Sequence, residues 1–166
     1  MFREMRRNKQ VLSLEESIEI LNNGTSGVLA VYGDEGYPYA VPLSYVYHDS
    51  KIFFHCAKSG HKLDAIERNS KVSFCVIDQD KVVPEEYTSY FRSVIVFGNA
   101  RILDDETEKR SALVMLAARY SPDQVQGRQQ VIESQFKQVC LIELSIDHMS
   151  GKEAIELVRM KNSHNN

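Results

Sequence analysis

Three strand-like runs follow one another with only short turns between them, and this spacing limits the folds that the chain can adopt. The runs are Ser26–Tyr32, Tyr39–His48 and Lys51–Ala57, and the turns are Gly33–Gly36 and Asp49–Ser50. Parallel strands need a crossover of about a dozen residues or more, whereas antiparallel strands need only a tight turn. The sequence therefore predicts an antiparallel meander. No GxGxxG turn follows a strand, which argues against a doubly wound dinucleotide-binding fold.

Three further strands and several helices complete the predicted fold. The strands are Lys71–Ile77, Tyr90–Leu103 and Val139–Ile146, with a polar excursion over Asp78–Ser89. The first predicted helix runs from the capping box Ser13-Leu14-Glu15-Glu16 to Asn22-Asn23-Gly24. Further helices are predicted over 60–69, from Asp104-Asp105-Glu106 to Tyr120, and over 122–137. Residues 151–160 fit either a strand or a helix. Six strands with helices segregated to the ends predict the α+β class and a small barrel.

Two residues mark special positions in these strands. Pro42 lies inside the second strand and has no N–H to donate, so it must occupy an edge, a bulge or a place where a ligand approaches. Gly98 interrupts the long strand Tyr90–Leu103, which predicts a bulge or the close approach of another backbone segment.

Composition and charge narrow the class of protein. The chain has 166 residues, 43% hydrophobic and 26% charged, which predicts one globular domain over residues 1–166. Its net charge of −3 argues against a nucleic-acid-binding surface. Residues 161–166 are interpreted as a flexible tail and residues 1–12 as a solvated basic arm, which carries Arg3, Arg6, Arg7 and Lys9.

The sequence also indicates a location and excludes some site types. No apolar stretch approaches the roughly 18 residues that span a bilayer, and no secretory signal opens the chain. The cysteines Cys56, Cys75 and Cys140 are odd in number and lack CxxC spacing, so we expect reduced thiols in a cytoplasmic protein. His55 and His61 lack the spacing of an HExxH site, and we expect no metal.

The segment 54–64 carries the clearest functional signal. It is typical of a strand end, a tight turn and the first turn of a helix, with His61 and Lys62 at the helix entrance. A helix N-terminus presents unpaired N–H groups and the positive end of its dipole. An imidazole and an ammonium added there predict a site for a phosphate, such as that of a nucleotide or a flavin. The alternative is two ordinary polar residues on an exposed helix start.

Several segments together resemble a known family. They are Pro42-Leu43-Ser44-Tyr45-Val46-Tyr47, Phe54-His55-Cys56-Ala57 with Gly60-His61-Lys62, Ser93-Val94-Ile95-Val96-Phe97-Gly98 and Met149-Ser150-Gly151-Lys152-Glu153-Ala154. In this order they resemble the FMN-binding split-barrel proteins related to pyridoxamine 5′-phosphate oxidase, and are most similar to the nitroimidazole-resistance (Nim) branch. The resemblance runs from about Ser26 to Gly151. It implies a homodimer of six-stranded antiparallel Greek-key split barrels with peripheral helices, and one FMN in each of two clefts between the subunits.

The resemblance also implies which residues bind the cofactor. The strand with Pro42, Leu43, Ser44 and Tyr45 would run along the flavin ring. The strand end with His55, Cys56 and Ala57 would face the ring or the ribityl chain. His61 and Lys62 would hold the phosphate, and Ser93 would come from the neighbouring subunit. Ser93 stands where the oxidase branch has a glutamine, and a hydroxyl reaches less far.

The implied function is that of an FMN-dependent oxidoreductase that reduces a small, nitro-aromatic type of substrate, with catalytic residues unassigned. The oxidase's C-terminal pattern of a tryptophan and an arginine is not recognisable, and the chain has no tryptophan, which disfavours pyridoxamine phosphate oxidation. The alternative is a flavin- or haem-binding carrier or sensor without turnover, with His55 or His148 as a haem ligand.

Simpler structural roles also fit some of these residues. His55 could be a core histidine, and Ser93 and Gly98 could be ordinary strand and bulge residues. Tyr39, Tyr45 and Tyr47 share one face of a strand, where they could stack on a flavin or belong to an aromatic core or dimer face.

Overall fold

The computed structural model describes residues 1–164, which contain one antiparallel seven-stranded sheet and five α-helices. The strands are β1 Ser26–Tyr32, β2 Pro38–Ser44, β3 Val46–His48, β4 Lys51–Cys56, β5 Lys71–Val83, β6 Thr88–Ile102 and β7 Cys140–Glu153. The helices are α1 Leu14–Asn23, α2 His61–Arg68, α3 Glu106–Tyr120, α4 Val125–Phe136 and α5 Ile155–His164. Across the sheet the strand order is β2-β1-β5-β6-β7-β4-β3. No helix within these residues is long and apolar enough to span a membrane.

Seven strands are present rather than six because the predicted strand Tyr39–His48 is divided at Tyr45. Before the break, β2 pairs with β1 at one edge of the sheet, and after it β3 pairs with β4 at the opposite edge. Within the described residues β2 and β3 form no ladder with each other, so hydrogen bonds do not close the sheet. Because Tyr45 alone joins the two edge strands, the sheet must curl until its edges come close.

Tyr45 is fixed at this crossing by hydrogen bonds from two helices. Its side chain is completely buried, and its hydroxyl donates to the carbonyl oxygen of Leu21 at 2.8 Å. The Tyr120 hydroxyl accepts from the Tyr45 N–H at 2.7 Å, and it can donate its single proton to the carbonyl oxygen of Thr25 or to that of Tyr45 at 2.8 Å. Burial raises the pKa of the Tyr45 phenol, which keeps this group a donor.

Two apolar clusters hold the helices against the sheet. The larger one fills the inner face, where Phe54 and Phe74 meet edge to face with ring centroids 5.1 Å apart. The smaller one lies between the outer face of β4 and β7 and the pair α3–α4, and it contains Phe53, Leu116 and Phe136. Phe53 and Phe54 are neighbours in the chain and enter different clusters because successive strand residues point to opposite faces.

Three local predictions are confirmed. Ser13 and Glu16 form the reciprocal capping box, with bonds of 2.9 and 3.1 Å. Pro42 lies on the edge strand β2. The pairing of β6 with β7 shifts register next to Gly98, where a methyl group would overlap the carbonyl oxygen of Ser145. The glycine therefore marks both a bulge and a close backbone approach.

The predicted polar excursion Asp78–Ser89 is wrong, because β5 and β6 continue as a hairpin that turns at residues 84–87. Polar residues are tolerated in this arm because neither of its faces packs in the core; Tyr87 at its tip is 98% exposed. The predicted end of the last strand at Ile146 is also too early, since β7 continues to Glu153.

The chain ends are more ordered than expected. Residues 161–164 of the expected flexible tail belong to α5, where Lys161 bonds to Glu153 at 2.8 Å; residues 165–166 lie outside the described part. The four basic side chains of the N-terminal arm are exposed, as expected. However, Gln10 is buried, and the Phe2 ring stacks on His148 with centroids 4.5 Å apart.

A buried carboxylate ties three adjacent strands together. Glu143 on β7 is 4% exposed and accepts hydrogen bonds from Lys51 on β4 at 3.0 Å and from Arg101 on β6 at 2.9 Å. Burial alone would raise the pKa of this carboxyl, but the bonds from Arg101 and Lys51 outweigh burial and lower it. The carboxylate is therefore more stable in the folded chain than in the unfolded one.

We expect Glu143→Gln to lower the free energy of unfolding by about 1–3 kcal/mol at neutral pH, because two cations lose their partner. The folded pKa is depressed, so the difference from the wild type should be complete above the ordinary value of 4.5 and should shrink as the pH falls through the folded pKa. Urea unfolding at several pH values measures it. Glu108→Gln, which alters the exposed partner of the same arginine, should cost much less. Equal losses would contradict this account.

Candidate functional site

The entrance of α2 is open to an anion. Gly60 caps the helix with φ 137°, and its carbonyl oxygen accepts from Leu63 N–H at 2.9 Å and Asp64 N–H at 3.3 Å. Within the described residues the amides of His61 and Lys62 have no such bond, and no side chain caps the helix. A methyl group on Gly60 would meet nothing within 4 Å, so a ligand has room to approach these two amides.

Lys62 adds an unpaired positive charge to this entrance. The side chain is half-buried, and among residues 1–164 it forms no hydrogen bond or ion pair. The positive charge of Lys62 favours the thiolate forms of Cys56 and Cys140, so the lysine lies beside the end of β4. Most other half-buried cations near the sheet have carboxylate partners, whereas this one is available to an external anion.

His61 is held by the turn between β1 and β2. Its Nε2 accepts from the N–H of Asp34 at 3.3 Å and lies 3.5 Å from the Asp34 carboxylate. The imidazole stacks on Tyr39 with ring centroids 4.2 Å apart. With Nε2 accepting, the ring proton of neutral His61 is on Nδ1, which is then the donor available to a ligand.

Asp34 and Arg68 complete this support. Arg68 Nη2 donates to Asp34 Oδ1 at 2.7 Å, so the carboxylate links the last turn of α2 to the β1–β2 turn. The hydrogen bond from Arg68 lowers the pKa of Asp34, and a positive charge on His61 would lower it further. Sequence reasoning missed both residues. Asp34 lies in a turn far from His61 in sequence, where its only visible signal is that of an ordinary turn residue.

The β2 residues that were expected to face the flavin divide between two environments. Pro42 and Ser44 are exposed on the outer side of the edge strand, where a planar ligand can reach them. Leu43 packs against the inner cluster, and Tyr45 is completely buried. A ligand outside the sheet could therefore contact Tyr45 only through its backbone. Tyr39, Tyr45 and Tyr47 belong to the inner aromatic core.

The end of β4 presents two of its three expected residues. His55 and Ala57 are exposed, whereas Cys56 points into the inner cluster. The alternative that His55 is a core histidine is wrong, since its ring is on the outer side. Burial raises the pKa of the Cys56 thiol to about 11, so the thiol stays protonated at neutral pH.

Ser93 lies apart from the other candidates within one chain. It is on the outer face of β6, opposite Ile77 on β5 and Lys152 on β7, and is half-buried. The strands β5 and β1 separate it from β2 in the sheet, and β7 separates it from β4. The candidates of β2 and β4 thus lie towards the two curled ends of the sheet, with α2 directly after β4 in the chain, whereas Ser93 lies on the central strand β6.

An apolar surface covers the outer face of β1, β5 and β6. Val28, Cys75 and Ile95 are paired across the three strands in one row, and Ala30, Ser73 and Phe97 form the next row. We call these six residues the outer apolar rows. A cavity of about 550 Å³ opens on the second row and is also lined by Phe2, Tyr37 and the ion pair Lys71–Asp147, which is 3.4 Å apart. None of the candidate residues lines it.

Over the described residues, no three His, Cys, Asp or Glu side chains come together as a metal-binding group. At the entrance of α2, the free amides of His61 and Lys62 and the side chain of Lys62 are donors that an anion could use.

The family described as pyridoxamine 5′-phosphate oxidase matches the chain over residues 13–153. The comparison with curated proteins finds no similar sequence.

Among solved structures, a Bacteroides thetaiotaomicron protein assigned to 5-nitroimidazole antibiotic resistance is 23% identical, with a TM-score of 0.72 and 86% of each chain covered. The flavocytochrome Anf3 of Azotobacter vinelandii is 19% identical, with a TM-score of 0.79 and coverage of 92% of this chain and 72% of that one. The FAD and heme binding protein of Mycobacterium smegmatis is 22% identical, with a TM-score of 0.73 and coverage of 88% and 73%. These likenesses show a shared fold.

The backbone conformation of Gly60 at the entrance of α2 gives a stability test. We expect Gly60→Ala to cost about 1–3 kcal/mol, because φ 137° is a conformation that residues with a Cβ rarely adopt. Gly127→Ala in the helix α4 is the matched control and should stabilise by about 0.5–1 kcal/mol, since no atom lies near the added methyl group. Denaturant unfolding of both variants decides. A neutral or stabilising effect at residue 60 would show that its backbone is not constrained.

Proposed function

The chain belongs to the pyridoxamine 5′-phosphate oxidase family, as its motifs predicted, and from this premise we propose that it is a flavin-binding protein. The observation that carries the proposal is the α2 entrance, where two free amides and the unpaired side chain of Lys62 converge. A terminal phosphate dianion fits such a place because the helix dipole and the ammonium both favour negative charge.

We propose FMN as the cofactor. Its terminal phosphate would accept charge-assisted hydrogen bonds from Lys62 and from Nδ1–H of His61. The exposed Pro42 and Ser44 would face the ring, and His55 and Ala57 would lie beside it or the ribityl chain. The Mycobacterium smegmatis neighbour is named as a FAD and heme binding protein. FAD has no terminal phosphate, so it would place a diphosphate ester and an adenosine at the entrance of α2. Mass spectrometry of the flavin released on denaturation distinguishes the two.

We further propose that the curled sheet is a split barrel and that two copies associate through the outer apolar rows. Val28 is 37% exposed, Ile95 41% and Phe97 39%, an unusual set for neighbouring positions on one sheet face. A second copy would cover these side chains and the cavity beside them. It would also bring its own Ser93 towards the flavin, a residue that one chain alone leaves apart from the α2 entrance.

A bound flavin can accept a hydride or two electrons and pass them to an oxidised substrate. The chain itself would anchor the phosphate, orient the ring against β2 and, through the second subunit, limit access to small substrates. The neighbour assigned to nitroimidazole resistance makes a nitro-aromatic compound the first substrate to test. The three thiols are free, which fits the proposed cytoplasmic location.

A second candidate function is a carrier or sensor that binds flavin or haem without turnover. Two observations favour it: His55 is exposed at the end of β4, and two structural neighbours are a flavocytochrome and a FAD and heme binding protein. The visible spectrum of the purified protein separates the readings, since flavin and haem absorb differently. Anaerobic addition of NADH or NADPH, followed by a nitro-aromatic compound, then tests turnover: a flavin that no donor reduces favours the carrier.

Lys62→Ala tests the phosphate site. We expect FMN affinity to fall roughly tenfold to a hundredfold, because a hydrogen bond to a charged group is worth about 1.5–3 kcal/mol. Lys81→Ala, an exposed lysine on the hairpin arm, is the control and should bind FMN like the wild type. Titration followed by flavin fluorescence measures both, and circular dichroism checks the fold. Equal affinities in the two variants would remove Lys62 from the site.

Ile95→Lys tests the association. We expect this variant to elute as a monomer while the wild type elutes as a dimer, because a charge in the centre of an apolar interface is costly to desolvate. Val82→Lys is the matched control, since Val82 is 67% exposed on the hairpin arm outside the outer apolar rows. Light scattering coupled to gel filtration gives the masses. A wild-type monomer, or a dimer that survives Ile95→Lys, would contradict the proposed interface.

A further inference from the structure

Cys56 and Cys140 face each other on neighbouring strands. Cys56 is the last residue of β4, Cys140 is the first of β7, and the two are directly opposite in the antiparallel ladder. Side chains at such positions have Cβ atoms about 4.5–5.5 Å apart, and a disulfide needs about 3.5–4.5 Å. A shift of about an ångström would thus allow the bond. Both residues are 9% exposed, so a small molecule has limited access to them.

The two sulfurs are not equivalent. Burial raises the pKa of both thiols, to about 11 for Cys56. The nearness of the two sulfurs acts in opposite directions, since it raises the pKa of Cys56 and lowers that of Cys140, whose S–H lies 4.0 Å from the carbonyl oxygen of Leu141. The positive charge of Lys109 also favours the Cys140 thiolate and outweighs the opposing charge of Asp104, whereas Lys62 favours the thiolates of both cysteines. Cys140 is therefore the better nucleophile of the pair.

We propose that Cys56 and Cys140 form a reversible disulfide when the protein is exposed to a peroxide. Cys140 is the thiol that attacks the peroxide, and Cys56 is the resolving thiol. The Cys140 thiolate breaks the O–O bond, becomes a sulfenic acid and releases one oxygen as water after protonation. The Cys56 sulfur then attacks the sulfenic sulfur, loses its proton and expels the second oxygen as water. The two thiols lose two electrons and two protons, which the peroxide takes up.

The disulfide would act on the anion site. This consequence rests on the proposed function. Cys56 is separated from the helix cap Gly60 only by Ala57, Lys58 and Ser59, so a shift at the end of β4 moves the loop that positions the free amides of α2. Because binding groups must be held to within about half an ångström, oxidation should weaken FMN binding. The FMN affinity of the protein would thereby depend on the concentration of oxidant.

The experiment treats the full-length protein with hydrogen peroxide, alkylates it under denaturing conditions and maps its peptides by mass spectrometry. We expect a Cys56–Cys140 linked peptide, and free Cys75, which lies on β5. Dithiothreitol should restore all three thiols. Cys75→Ser is the matched control and should keep the linkage, whereas Cys140→Ser should lose it. Recovery of both Cys56 and Cys140 as alkylated thiols after oxidation, or a linkage through Cys75, would overturn the proposal.

A second measurement separates this idea from flavin binding itself. FMN affinity should be about tenfold weaker for oxidised than for reduced wild type, a change of about 1.4 kcal/mol, and unchanged by peroxide in Cys140→Ser. A disulfide that forms without any change in FMN affinity would overturn the coupling. Failure of the reduced wild type to bind FMN would instead refute the proposed function, while the peptide map would still decide the disulfide.

Discussion

The crossing of the chain at Tyr45 is the constraint on which the rest of the structure depends. One residue carries the backbone from one edge of the sheet to the other, so the sheet can exist only in a curled form. The Tyr120 hydroxyl accepts from the Tyr45 N–H and shares its proton between the carbonyl oxygens of Thr25 and Tyr45, and the Tyr45 hydroxyl donates to the carbonyl oxygen of Leu21 near the end of α1. Without these bonds a buried corner would have unpaired polar groups, each costing about 1–3 kcal/mol. The same curl brings the exposed side of β2 near the end of β4, where the anion site lies.

Segments whose signals are local could be predicted from the sequence, and contacts between distant segments could not. The capping box at Ser13, the edge position of Pro42 and the bulge at Gly98 each depend on the chemistry of one residue and its neighbours. The break at Tyr45 gave no such signal, because Tyr45 and the following Val46 and Tyr47 are residue types that favour strands. It depends on Tyr120, which is remote in sequence.

The same distinction holds for the candidate site. His61 and Lys62 could be chosen because a helix entrance is visible in sequence, and the alternation of Pro42 and Ser44 with Leu43 follows from strand geometry. The support of His61 by Asp34 could not be foreseen, since a turn and a helix meet there only after the sheet has curled. The exposure of His55 likewise depends on how far the helices α3 and α4 extend along the outer face of β4, where Phe53 is covered and His55 is not.

The electrostatics of the fold single out the α2 entrance. Most buried or half-buried charges elsewhere have partners of opposite sign, as for Glu143 with Lys51 and Arg101 or Glu153 with Lys161, while half-buried Lys152 lies over the Phe91 ring. Lys62, in contrast, lies near the positive end of a helix dipole and has no carboxylate partner within the described residues, an arrangement that destabilises the isolated chain. A bound anion would remove this cost, and a ligand that binds only the folded state stabilises it by mass action. The phosphate site that we propose would thus account for an unpartnered cation at the entrance of α2.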